Sequence, residues 1–193
     1  MDAEEFARFL ASDERRRWQD PIKIGEAIGV TKGMTVADLA CGPGFFAIPW
    51  ARLVGETGLV YAVDSNPTML RHLQAGIRES RTPPNAVKVL LTDVSKTGIP
   101  SACVDVTLFA NVLHDLPDKE AFLREVRRIA KPRGAVVDVD WKKTNAGLGP
   151  PTGIRLSEAG SEKILHENGF TVTRRIDAGP YHYGLVLHRR EGW

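Results

Sequence analysis

The sequence predicts an α/β protein, a doubly wound and mostly parallel sheet with helices on both faces. Three observations carry this expectation. Short β-branched runs alternate with longer amphipathic stretches from residue 34 to residue 140, the first run feeds a glycine turn, and three successive runs end at an aspartate. Units of this size that alternate in this way form parallel strands joined by covering helices.

In chain order, residues 1–33 read as a helical cover for the sheet or its mouth. Met34 to Leu39 is the first strand, followed by a helix from Gly44 to Val54. Pro49 sits inside that helix and would remove a backbone bond, so the helix either starts later or has an irregular first turn. Leu59 to Val63 is the second strand. The next helix runs from Pro67 to about Ser80, with Asn66 as N-cap and Pro67 at the first position, where a missing N–H costs nothing. Val87 to Leu91 and Val104 to Ala110 are strands joined by a compact loop without a helix signal. From Asp118 to Ala130, Phe122, Leu123, Val126, Ile129 and Ala130 fall on one helical face, with Asp118 as cap and Pro132 and Gly134 as stops. Ala135 to Asp140 is the fifth strand.

Residues 141–193 then change character. Lys142 to Arg155 is a loop rich in glycine and proline, Ser157 to Asn168 a helix, and two alternating runs around Gly179-Pro180 form an antiparallel hairpin. The whole of 1–193 reads as one domain: cover (1–33), cofactor-binding βα units (34–140), and an acceptor-side loop, helix and hairpin (141–193).

Composition excludes several classes. Hydrophobic residues at 42% and charged residues at 26% are globular values. The longest apolar run, Leu59 to Val63, is far short of the roughly 20 residues that span a bilayer. Asp2, Glu4 and Glu5 stand where a signal peptide would be basic, and the two cysteines, Cys41 and Cys103, have no disulfide or zinc pattern. The expected compartment is therefore the reducing cytoplasm. A formal net charge of +2 is too balanced for nucleic-acid binding by bulk charge, and Arg15-Arg16-Arg17 reads as a solvated face.

Gly42-Pro43-Gly44-Phe45-Phe46-Ala47 fits the G-x-G-x-x-G/A turn that brings backbone close to a nucleotide cofactor, and Asp64 stands where an acid holds ribose hydroxyls. Asp38 lies four residues before Gly42, where a pyrophosphate would meet a carboxylate. This disfavours a dinucleotide and favours S-adenosylmethionine (SAM), whose methionine end has an ammonium for an acid and a carboxylate for a helix N-terminus. Asp93, ending the third strand, is placed to accept from the adenine amino group. An NAD(P)-dependent oxidoreductase and a SAM-binding module without turnover remain as alternatives.

The chain resembles class I SAM-dependent methyltransferases over nearly its whole length, in particular the small enzymes around the ubiquinone/menaquinone C-methyltransferases. The resemblance rests on Val36-Ala37-Asp38-Leu39-Ala40-Cys41-Gly42-Pro43-Gly44, Tyr61-Ala62-Val63-Asp64, Asp93-Val94, Val104-Asp105-Val106-Thr107 with Asn111-Val112-Leu113-His114, and Arg127 to Val137. It implies a seven-stranded Rossmann-like sheet in the order 3-2-1-4-5-7-6 with strand 7 antiparallel. It also implies cofactor contacts from Asp38, Ala40, Gly42, Gly44, Asp64, Ser65, Met69, Asp93, Val94 and Asn111. The product would be S-adenosylhomocysteine, with no metal required.

Transfer from a sulfonium is an in-line displacement, so the protein mainly positions the acceptor and excludes water. The carboxyl ends of strands four and five face the crevice. They nominate His114 as a possible base, and Asp115, Trp141 and Lys142, with Trp18 from the N-terminal segment, as substrate-binding residues. A metal at Asp115 and Asp140 is disfavoured by Lys142 and Lys143. The acceptor is expected to be a small molecule; its identity, the atom methylated and the oligomeric state are not encoded legibly. The 142–155 loop, meeting the segment around Arg17, Trp18 and Gln19, is expected to act as a mobile gate over the acceptor side.

Overall fold

The computed structural model describes residues 2–83, 85–144 and 147–192. Three short helices open the chain: α1 (Ala3–Leu10), α2 (Asp13–Trp18) and α3 (Pro21–Ile28). Each has a side-chain cap. Asp2 accepts from the Glu5 amide, Ser12 from Arg15 and Asp20 from Ile22 and Lys23, so acids and a hydroxyl satisfy the free N–H groups of each first turn.

The sheet follows as β1 (Thr35–Leu39), β2 (Leu59–Asp64), β3 (Val87–Leu91), β4 (Val104–Ala110), β5 (Ala130–Trp141), β6 (Phe170–Asp177) and β7 (His182–Arg189). Its order is 3-2-1-4-5-7-6, with β7 antiparallel to both neighbours and the pairs among β1 to β5 parallel. The expected topology is thus the observed one. Helices α4 (Ala47–Val54), α5 (Pro67–Glu79), α6 (Lys119–Ile129) and α7 (Glu158–Glu167) cover it. Period-two alternation sends Val36 and Val137 toward Trp50 and Val54 of α4, and Leu39, Phe109 and Val136 toward Phe122, Val126 and Ile129 of α6. Burial on both faces explains why the central strands read as nearly continuous apolar runs.

Two boundaries differ from the sequence reading by more than one residue. The helix after β1 begins at Ala47, not Gly44, which leaves Pro49 in its first turn, where no intrahelical N–H bond is lost. Strand β5 begins at Ala130, not Ala135. The Lys131–Gly134 stretch is an irregularity within the strand, where the β4 register moves from Val104↔Ala130 to Val106↔Ala135. Four residues stand opposite Asp105 alone, and a Cβ at Gly134 would lie 3.1 Å from the Lys131 amide nitrogen, so Pro132 and Gly134 form a tight turn set inside the strand pairing. Between β3 and β4 there is no helix among the described residues. The loop is anchored to α6 instead, where Glu125 accepts from the Thr97 amide (2.8 Å) and hydroxyl (2.6 Å).

The N-terminal cover is fitted to the closing hairpin. Gly179 has φ +99° and lies under α2 so closely that a Cβ would stand 1.9 Å from the Trp18 carbonyl oxygen. Gly179→Ala is expected to destabilise the protein by about 2–3 kcal/mol and to alter Trp18 fluorescence. Gly153→Ala, at an open position without positive φ, should stay within about 0.5 kcal/mol in the same urea titrations.

Candidate functional site

The carboxyl ends of β1, β4 and β5 meet the N-terminal helices around a cavity of about 460 Å³. Its floor is the turn after β1. Ala40, Gly42 and Gly44 all have positive φ, so the chain leaves the strand through three left-handed positions within five residues. At Gly44 a Cβ would collide with Leu73 of α5 at 2.4 Å, which makes it a packing glycine. At Gly42 the nearest atom to such a Cβ is Leu10 Cδ1 at 3.9 Å, so its bare backbone faces the cavity.

Asp38 lies in the cavity wall at 2% exposure. It shares a face with Val36, directed at α4, whose N-cap residue Phe46 makes no side-chain capping bond. The Ala47 amide donates to Asp38, while Asp38 Oδ2 is buried without a partner. Burial, opposed by the Ala47 bond and reinforced by the nearby Asp64 charge, pushes the Asp38 carboxyl up to about 7, although Arg15 pulls it back. Asn111, the second non-glycine with positive φ on the wall, also has a buried, unpartnered Oδ1. Orphaned acceptors beside bare backbone are what a ligand with an ammonium group would satisfy.

Of the other expected cofactor residues, Asp64 adjoins the turn. Its Oδ2 accepts from the Gly42 amide and its Oδ1 from Asn66, both at 2.8 Å. A carboxylate oxygen has two acceptor sites, so each retains one. Asp93 Oδ1 accepts from the Ser95 amide and hydroxyl at 2.7 and 2.6 Å. Ser65 is exposed, Met69 is buried on α5, and Val94 packs against the α6-side core. None of Asp64, Ser65, Met69, Asp93 or Val94 lines the cavity.

Elsewhere around the cavity, His114 and Asp115 follow β4, and Asp140 and Trp141 close β5. Asp140 is buried and holds the His114 ring through Nδ1, at 2.7 and 2.9 Å from its two oxygens. It also accepts from the Trp141 amide at 2.7 Å. Where the Asp140 oxygens accept at Nδ1, that nitrogen carries the proton and the neutral ring keeps its lone pair on Nε2. Burial alone would lower the His114 pKa. The bond to Asp140 and the charges of Asp140 and Asp115 outweigh it and raise the value above the ordinary 6.5.

Trp18 and Trp141 wall the cavity with ring centroids 5.8 Å apart, and both pack on His182 of β7. His182 is fully buried, and burial followed by the charges of Arg15, Lys142 and Arg155 holds it neutral, with its pKa down to about 3. Lys142 points elsewhere, its Nζ 3.1 Å from the Pro180 carbonyl. Phe6, Phe9, Phe45 and Phe46 complete an aromatic lining.

Two residues of the site were not visible in the sequence. Arg15, expected on a solvated face, is 6% exposed and lines the cavity; helix α2 turns it inward while Arg16 and Arg17 stay outside. Arg155 is buried and gathers the acceptor-side loop. It donates to the carbonyls of Pro150 (2.8 Å), Lys142 (3.1 Å), Thr144 (2.9 Å) and Leu148. Gly149 and Pro150 from that loop reach the cavity, and Asn145 and Ala146 within it lie outside the described residues.

Sheet order, reversed seventh strand, glycine turn and crevice together define the Rossmann-like methyltransferase fold. Residues 37–138, more than half of the chain, match the methyltransferase-domain family. The chain belongs to the class I SAM-dependent methyltransferases. It is 30% identical over 158 residues to the ubiquinone/menaquinone biosynthesis C-methyltransferase UbiE of Shewanella sp. (strain ANA-3), covering 82% of this chain and 60% of that protein. Against the UbiE of Azotobacter vinelandii the identity is 31% over 159 residues, with the same coverages. The chain thus spans about 60% of the length of these curated relatives. A solved SAM-dependent methyltransferase from Aquifex aeolicus superposes with a TM-score of 0.89 at 32% identity, over 97% of this chain and 98% of that one.

Two outcomes follow from the electrostatics. Asp38 ionises with more difficulty in the folded protein than in the unfolded chain, so its contribution to stability is full below about pH 4 and is lost as pH rises through 7. Asp38→Asn is therefore expected to stabilise the free protein at pH 8 by about 1–3 kcal/mol and to change little at pH 4, measured by urea unfolding. For His114, the imidazole resonance should titrate above 6.5 in the native protein. In Asp140→Asn it should titrate below 6.5, because burial and the Lys119 charge are then opposed only by the weaker Asp115 charge.

Proposed function

We propose that this protein transfers a methyl group from SAM to a small, flat, largely apolar acceptor in the cytoplasm, with residues 1–193 working as one methyltransferase unit. The observation that carries the reading is the single cavity that joins Asp38 and the bare glycine turn to the His114–Asp140 pair. Family membership supports SAM as the donor, and the charge of Asp38 beside the turn disfavours a pyrophosphate cofactor.

In this reading Asp38 and the Asn111 side chain take the ammonium group, and the backbone from Ala40 to Gly44 lies along the methionine chain. The free acceptor sites of Asp64 take the ribose hydroxyls beside Ser65, while Met69, Asp93 and Val94 flank the adenine. When bound, SAM supplies an electrophilic methyl group on a sulfonium, chemistry that requires no metal. The chain's own part is positioning and proton handling. Trp18, Trp141 and the phenylalanines hold a ring and exclude water, His114 Nε2 accepts the proton the acceptor gives up, and Asp140 balances the resulting imidazolium. Asp115 lies beside His114 at the rim, and Lys142 braces the β6–β7 turn. The aromatic lining and the relatives' C-methyltransferase names both favour a small aromatic acceptor over a nucleic acid or a protein. No helix among the described residues is long and apolar enough to cross a membrane.

Calorimetry decides between donors. S-adenosylhomocysteine is expected to bind with micromolar or tighter affinity and NADH not to bind; the reverse result overturns the proposal. Methyl-labelled SAM with a library of phenolic and quinol acceptors then reports turnover. At pH 8 both His114→Ala and Asp140→Asn are expected to lower that rate about 10²- to 10³-fold, without weakening S-adenosylhomocysteine.

A further inference from the structure

Resting on the SAM reading, we propose that Arg15 of α2 binds the α-carboxylate of the cofactor, so that the N-terminal cover, outside the matched 37–138 region, completes the cofactor site. Charge and space at the methionine end lead to this assignment. A helix N-terminus is the usual seat for such a carboxylate, and α4 supplies one directly after the glycine turn. Here that seat is compromised. The Ala47 amide already donates to Asp38, and an anion placed there would face a carboxylate.

Arg15 offers the alternative from the same cavity. Its Nε and Nη2 donate to Gln19 Oε1 at 3.0 and 2.8 Å, and Nη1 donates to the Leu10 carbonyl at 3.1 Å. These bonds use three of the five N–H donors and leave one on each terminal nitrogen, the pair that grips a carboxylate. The guanidinium lies 3.9 Å over the Phe45 ring, which fixes its plane beside the turn. Gln19, fully buried, locks the fork and carries an unpartnered Nε2 of its own. Burial lowers the Arg15 pKa only to about 10, so the group is charged at neutral pH. Arg15 and Asp38 feel each other's charge yet form no direct ion pair among the described residues. An acid and a base held apart across one cavity are complementary to a zwitterion. The ammonium goes to Asp38 and the carboxylate to Arg15, and the ligand ties β1 to α2.

The test compares two ligands by calorimetry. S-adenosylhomocysteine carries the amino-acid end; 5′-methylthioadenosine has the same adenosine and thioether without it. Arg15→Met is expected to weaken S-adenosylhomocysteine about 30- to 100-fold and to leave methylthioadenosine within about 2-fold. Parallel losses for both ligands in a variant that melts like the native protein, or no loss for either, overturn the assignment. Failure of the native protein to bind either ligand would instead refute the methyltransferase reading. If Arg15→Met melts early, Gln19→Glu decides, because it leaves the arginine in place and neutralises it. Selective loss of S-adenosylhomocysteine in Gln19→Glu supports the clamp, and any non-selective result overturns it.

Discussion

The site depends on one costly placement, a carboxylate sealed into the apolar face between β1 and α4. Burying an ionisable acid this deeply is unfavourable unless something returns the lost hydration. In Asp38 the Ala47 amide returns part of it and the distant Arg15 a little more, leaving one oxygen unsatisfied. The surrounding structure is organised by that deficit. The chain leaves β1 through left-handed positions, Asp64 holds the Gly42 amide in place, and α2 brings a cation to the same cavity. A protein tuned only for stability would not keep this arrangement, which is the usual signature of a binding site.

The second organising contact is aromatic. Trp18 comes from the cover, Trp141 from β5 and His182 from β7, and their rings pack within 6 Å of one another. The cover therefore shares a wall of the cavity with the sheet. The His114–Asp140 pair sits at the edge of that wall, and Asp140 binds both the imidazole and the Trp141 amide. One carboxylate thus orients both the imidazole and the strand end that carries the aromatic wall.

Strand order and most element boundaries were legible because β-branched runs, an Asn66-Pro67 helix start and a glycine turn are local signals. The misplaced boundaries have local causes too. Pro49 is compatible with a helix that starts two residues before it, and the Lys131–Gly134 segment forms a turn although the residues on either side pair with β4. The expected residues Asp38, Gly42, Asn111, His114 and Trp141 do line the cavity, because strand ends and the turn after β1 face the crevice. Arg15 and Arg155 were not legible. Nothing in an Arg-Arg-Arg run says which member a six-residue helix turns inward, and a loop arginine shows its value only when four carbonyls are in place around it. The Asp140 bond to His114 spans 26 residues and is likewise set by tertiary packing.

The way Arg155 holds the acceptor-side loop has an evolutionary consequence. Every bond it makes there ends on a main-chain oxygen, at Lys142, Thr144, Leu148 and Pro150. A main-chain oxygen is present whatever the side chain, so the loop's conformation is largely insured against substitution at those positions. Mutations can then change what the loop presents to an incoming molecule without first undoing its shape. A lineage carrying this arginine can vary the loop's surface by point mutation, one side chain at a time, while the cavity wall formed by β1 stays as it is.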